Sequence, residues 1–160
     1  MTTPLLKIDG EVERPATLSF ADLANLTDDV QLADVSQIDP KRKGGAVRLS
    51  GLLALVAPKP SAVYLTLHAS RDDFHASIPL ASVQEQAILI YRLADAPLPE
   101  SAGGPLRFFI PDFAACHTSE IDECANVKYV DRIELSAQPG EDNRPHDEKQ
   151  HAELHEREKK

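Results

Sequence analysis

The densest gathering of chemically capable side chains runs from Asp112 to Cys124. There Cys116, His117 and Cys124 set two thiols and an imidazole among the carboxylates of Glu120, Asp122 and Glu123. Sulfur and imidazole donors together suit a zinc-like ion, which takes four ligands at about 2.0–2.3 Å. The spacing is neither that of a paired-cysteine nor that of a paired-histidine finger, so three states stay open. These are metal ligation by Cys116, His117 and Cys124, a pair of reduced thiols, and a disulfide closing a short loop, with reduced thiols the leading reading. A thiolate activated by His117 is a fourth, opposed by the adjacent carboxylates, which disfavour the charged sulfur.

Two further clusters contain histidine. His68 and His75 flank Arg71-Asp72-Asp73, and the two ends of a hairpin can bring such residues face to face, although polar side chains on a sheet usually just face water. Near the C-terminus, His151 and His155 are four apart, with His146 upstream and Glu148 and Glu156 nearby. A helix would put that pair on one face, as a metal site needs, but a solvated helix laced by charge pairs is the commoner outcome. Lys128, before Tyr129, is the remaining cation of interest.

The elements that position these groups are mixed. Ser19 caps a short helix with Asp22 at the reciprocal position, turning Leu23 and Leu26 inward. Ser50 opens a second helix through Leu52, Leu53, Leu55 and Val56, stopped by Pro58 and Pro60. Strands are expected at 63–69, 75–78, 88–93 and 107–110. Turn residues at Asp9-Gly10, Ala94 to Pro97 and Gly103-Gly104-Pro105 separate the runs. From Ala137 the composition turns polar and charged, so the chain divides into a domain over 1–136 and a flexible or helical tail over 137–160.

Several stretches carry a resemblance. Gly103-Gly104-Pro105-Leu106-Arg107-Phe108-Phe109-Ile110-Pro111, then Val127-Lys128-Tyr129 and the run to Leu135, resemble the closing segment of the sulfite-oxidase-like molybdopterin-binding domain. Upstream, Leu6 to Pro15, Leu18 to Leu23, Val47 to Leu53 and His68 to Leu80 match that family in order. The resemblance implies an α+β fold of mixed β-sheets with short helices, a molybdopterin cofactor, and a role for Lys128 in holding the pterin's terminal phosphate. Tyr129 stands where the family has tryptophan.

Three departures accompany it. The family's molybdenum-ligating cysteine falls near Ala33-Asp34-Val35-Ser36, where this chain has none, and a carboxylate or hydroxyl oxygen does not replace a soft thiolate. Glu123 and Ala125 occupy places where the family carries a glycine and a basic residue, leaving Lys128 a thin clamp for a dianion. The segment that holds both cysteines is an insertion between Pro111 and Asn126.

Composition narrows the classes. The chain of 160 residues is 42% hydrophobic, enough for one core, and its formal net charge of −9 disfavours nucleic acid and anionic membranes as partners. Lys41-Arg42-Lys43 before Gly44-Gly45 reads as a solvated loop. Met1 to Lys7 has neither the basic start nor the apolar run of a secretory signal, and the expected location is the cytoplasm. Three functions follow: a small-molecule- or protein-binding module that has lost molybdenum catalysis, which is favoured; a molybdopterin oxidoreductase with atypical metal ligation; and a metal-binding protein using the Cys116-His117-Cys124 loop.

Overall fold

Apolar and polar residues alternate along most of the chain's extended runs, which lets each sheet turn one face to a core. The computed structural model describes residues 4–38, 40, 43–94, 96–111 and 127–143. In chain order the elements are β1 (Pro4–Gly10), β2 (Ala16–Ser19), α1 (Phe20–Ala24), β3 (Gln31–Leu32), β4 (Gly45–Arg48) and α2 (Leu49–Val56). Then come β5 (Tyr64–Ala69), β6 (Phe74–Pro79), α3 (Leu80–Val83), β7 (Ile88–Leu93), β8 (Ala96–Pro97), β9 (Arg107–Phe109) and β10 (Arg132–Ser136). One five-stranded sheet has the order β2-β1-β10-β5-β6; the other has β3-β4-β7-β8, with β9 also on β7. The first sheet mixes parallel and antiparallel pairs, the second is antiparallel throughout, and with the short helices they make the expected α+β fold.

The first sheet separates its faces residue by residue. Ile8, Ile133, Leu67 and Ala76 are in register across four strands and are all buried. The next row, Lys7, Arg132, His68 and His75, points the other way because side chains alternate along a strand. β1 and β10 pair in parallel although they lie at opposite ends of the described chain, which places the last strand in the middle of the sheet.

Local signals account for the helices. The Ser19 hydroxyl accepts from the Asp22 backbone N–H while Asp22 accepts from the Ser19 N–H at 2.8 Å, a reciprocal cap that starts α1. Leu23 is buried beneath it and Leu26 packs against the core. Helix α2 buries Leu49, Leu52, Leu53 and Val56, the spacing of one helical face. It starts one residue before the expected Ser50, with Arg48 at the cap position. The Leu49 N–H is spent on the Ala87 carbonyl at 2.9 Å, so a tertiary hydrogen bond rather than a hydroxyl cap sets its start.

Residues 137–143 lie along the outer edge of β6. Asn143 N–H donates to the His75 carbonyl at 2.9 Å, and the His75 N–H donates to the Asn143 side chain at 2.8 Å. Ser77 N–H donates to Asp142 at 3.1 Å, and Gly140 N–H donates to the Ser77 hydroxyl at 2.9 Å. A strap over a sheet edge satisfies backbone groups that would otherwise face water. Beneath it His68, Thr66 and Ser77 are buried polar residues.

Candidate functional site

Lys128 and Tyr129 sit on a short connection pinned at both ends. Val127 and Val130 are buried, the Phe108 N–H donates to the Val127 carbonyl, and the Val130 N–H donates to the Leu106 carbonyl, both at 2.8 Å. Between these anchors Lys128 is exposed and Tyr129 half-buried. Tyr129 takes φ of +60°, a left-handed conformation that costs a non-glycine residue about 1–3 kcal/mol and recurs at ligand-holding sites.

The neighbouring turn, which ends a 3-10 segment at Glu100–Ala102, supplies the floor. Gly103 has φ of +100°, and its carbonyl accepts from the Tyr129 N–H at 2.9 Å. A Cβ on Gly103 would lie 3.2 Å from Arg107 Cδ and 3.5 Å from Lys128 Cγ, so the stems of both cations pass against this glycine. Two basic side chains are thereby gathered at one turn.

A third cation arrives from the β5–β6 hairpin. The Arg71 guanidinium lies 4.3 Å from the centroid of the Tyr129 ring and 3.6 Å from Glu100 Oε2. The hairpin is held in place by Ser70 N–H to Asp131 at 3.4 Å and Asp131 N–H to the His68 carbonyl at 3.0 Å. Arg71, Lys128 and Arg107 thus converge around Tyr129 and Gly103. Such a surface suits an anion bearing several oxygens, and the exposed Glu100 is the counter-charge such a ligand would displace.

The histidines flank the same turn, one strand pair back from it. His68 and His75 are a cross-strand pair whose Nδ1 atoms stand 2.8 Å apart. His68 Nε2 meets Glu134 Oε1 at 3.0 Å, and His75 Nε2 meets Asp73 Oδ1 at 2.9 Å. Glu141, on the strap, comes within 3.6 Å of His75 Nε2. Arg132 completes the row, holding Asp9 through two hydrogen bonds of 3.0 and 3.1 Å. Sequence reasoning paired the two histidines but missed Glu134 and Glu141. Alternation along β10 could have put Glu134 on the polar face; nothing in the sequence could have brought Glu141 back.

Asp34 is already committed. It is the N-cap of the 3-10 segment Val35–Gln37, and its Oδ1 accepts from the Ser36 N–H at 3.0 Å and from the Ser36 hydroxyl. Those two bonds, the hydroxyl first, hold the Asp34 carboxyl below its ordinary pKa. Cys116, His117 and Cys124, and the histidines at 146, 151 and 155, lie outside the described residues. The structure therefore offers no geometry for the expected metal loop.

These facts test the cofactor that the resemblance implies. A thiolate-ligated molybdenum does not fit the segment around Asp34, where the described residues offer a hydrogen-bonded carboxylate and no sulfur. The phosphate end fits better, because Lys128 and Arg71 stand ready for an anion.

The family model of the oxidoreductase molybdopterin binding domain matches residues 43–144, a span that includes Arg71, Gly103 and Lys128 and begins after Asp34. Among solved structures the chain is similar to the sulfane dehydrogenase SoxCD from Paracoccus pantotrophus, with a TM-score of 0.60 and 21% identity. That likeness is one of fold and covers 84% of this chain but 38% of the other, so the chain spans well under half the length of that protein. No curated protein gives a match. Among the described residues no helix is long and apolar enough to cross a membrane.

Proposed function

The chain belongs to the oxidoreductase molybdopterin-binding domain family, and from that premise we propose that it is a binding module for a phosphate-bearing small molecule that works without molybdenum catalysis. One observation carries the reading: Arg71 is stacked on Tyr129 beside Lys128, while the position expected to ligate metal holds a carboxylate spent on a helix cap. The cationic side of the site is organised, whereas the described residues around Asp34 offer a capping carboxylate and no sulfur. Arg71 presents a planar fork suited to two phosphate oxygens, and Lys128 adds a compact charge.

The supporting electrostatics are local. With a net charge of −9 the molecule as a whole repels anions, so an anionic ligand must be held by short contacts. Glu100 keeps Arg71 neutralised until the ligand arrives, in an exposed pair worth at most about 1 kcal/mol, and is readily displaced.

Calorimetric titration of the full chain with a pterin phosphomonoester, and separately with inorganic phosphate, tests the proposal. Saturable binding that Lys128→Ala and Arg71→Ala each weaken supports it. Affinity that neither substitution changes, or no binding, overturns it.

A further inference from the structure

A second cluster, made of different side chains from those around Lys128, lies on the polar face of the first sheet, and it goes beyond the function proposed above. His68 and His75 turn their Nδ1 atoms toward each other at 2.8 Å, and each spends its distal Nε2 on a carboxylate: His68 on Glu134 at 3.0 Å, His75 on Asp73 at 2.9 Å. Three contacts then link two rings and two carboxylates, and each contact needs one hydrogen. Two neutral imidazoles bring only two. The arrangement lacks one positive charge at the Nδ1–Nδ1 contact, which a shared extra proton or a bound cation would supply.

The surrounding groups favour the cation. Histidines that ligate a metal through one nitrogen characteristically hand the other N–H to a carboxylate, which fixes the ring and strengthens the donor, and both rings here do so. Glu141 offers a third ligand: its Oε2 lies 3.6 Å from His75 Nε2, one donor atom each from His68, His75 and Glu141 lie within 4.8 Å of one another, and its exposed side chain must swing toward the Nδ1 atoms to complete the site. Tetrahedral zinc with two imidazole nitrogens at about 2.0–2.1 Å needs them about 3.3 Å apart. The rings must therefore open by about half an ångström. Asp73 and Glu141 are 93% and 71% exposed, so both carboxylates can follow that movement while the strap stays hydrogen-bonded to β6. Arg132 is the facing cation, and it is engaged by Asp9 and by Glu134 at 3.7 Å.

We propose that His68, His75 and Glu141 form a binding site for a divalent transition ion of the zinc class, with water in the fourth position, and that the ion clips residues 137–143 onto β6. The cation replaces the missing hydrogen, and Glu134 and Asp73 orient its ligands. Since Glu141 comes from the strap and the histidines from the sheet, metal binding would reinforce a docking that hydrogen bonds already hold.

The test uses the metal-stripped, untagged full chain carrying Cys116→Ser and Cys124→Ser, titrated with zinc chloride by calorimetry and with cobalt chloride by visible absorption. One equivalent of zinc, a tetrahedral cobalt spectrum and zinc-dependent protection of 137–143 from proteolysis are expected. His75→Gln should abolish the site, and Glu134→Gln should weaken it by about 10- to 100-fold. Should His75→Gln fail to fold, the exposed Glu141→Gln serves in its place, with tenfold or greater weakening expected. Zinc affinity unaltered by His75→Gln or Glu141→Gln, or no binding at millimolar zinc, overturns the site and leaves the histidines sharing a proton.

Discussion

Arg71 lies over the ring of Tyr129 at 4.3 Å, so the β5–β6 hairpin and the Lys128 turn, distant in sequence, share one cation–aromatic contact. The contact itself is worth about 0.5–1 kcal/mol at an exposed site. Its larger effect is positional, since together with the Glu100 ion pair it fixes a guanidinium on the residue next to Lys128.

Removing either cation should cost ligand affinity. A charge-assisted hydrogen bond contributes about 1.5–3 kcal/mol, so Lys128→Ala and Arg71→Ala are each expected to weaken binding of a pterin phosphomonoester by roughly tenfold or more. Glu100→Gln should do the reverse and tighten it several-fold, because the ligand no longer displaces a carboxylate. Calorimetry at two salt concentrations checks all three, with affinity falling as salt rises.

Gly103 should be intolerant of a side chain. At φ of +100°, and with a new Cβ only 3.2 Å from Arg107 Cδ, Gly103→Ala is expected to cost about 1–3 kcal/mol. Urea denaturation measures that loss. Phosphate-type affinity should fall with it, because the stems of Arg107 and Lys128 must move.

Acid should loosen the capped turns. Ser19, through its backbone N–H first and its hydroxyl second, holds the Asp22 carboxyl below its ordinary pKa. Asp34 is lowered likewise by Ser36. A depressed folded-state pKa gives stability that is fully present above the unfolded value, about 3.9, and is lost as pH falls through the lower folded value. Melting temperature followed from pH 5 downward should therefore fall below that value. Ser19→Ala should lower stability at pH 5 and flatten the acid decline only in part, since it removes the hydroxyl and leaves the backbone N–H, the larger cause, on Asp22.

The central strand should be sensitive to truncation. Ile133 is fully buried and in register with Ile8 and Leu67, so Ile133→Ala is expected to cost about 2–5 kcal/mol in urea denaturation. Ile38, at 42% exposure, is the contrasting position, where the same change should be close to neutral.

What the sequence revealed and what it concealed divide along physical lines. Strand Ile88–Leu93 and the Ser19 cap were legible because their signals are local, a continuous apolar run and a reciprocal pair three residues apart. The start of α2 was misplaced because the Leu49 N–H bonds to Ala87, a partner no local rule can supply. The parallel pairing of β1 with β10 was hidden for the same reason. His68 and His75 could be placed on one face by alternation. Their burial could not, because the cover comes from 137–143, a stretch whose polar composition reads as a tail. At the candidate site Lys128 was legible through its motif, whereas the stacking of Arg71 on Tyr129 depends on the docking of a hairpin.

The central question is whether a domain with this fold, and with no cysteine in the segment Ala33 to Ser36, carries molybdenum. Elemental analysis by mass spectrometry of the untagged full chain, purified from cells able to make the cofactor, measures it directly. The expected result is far less than stoichiometric molybdenum in a correctly folded protein that still binds a pterin phosphomonoester through Lys128. One molybdenum per chain, with the pterin alongside it, would contradict it.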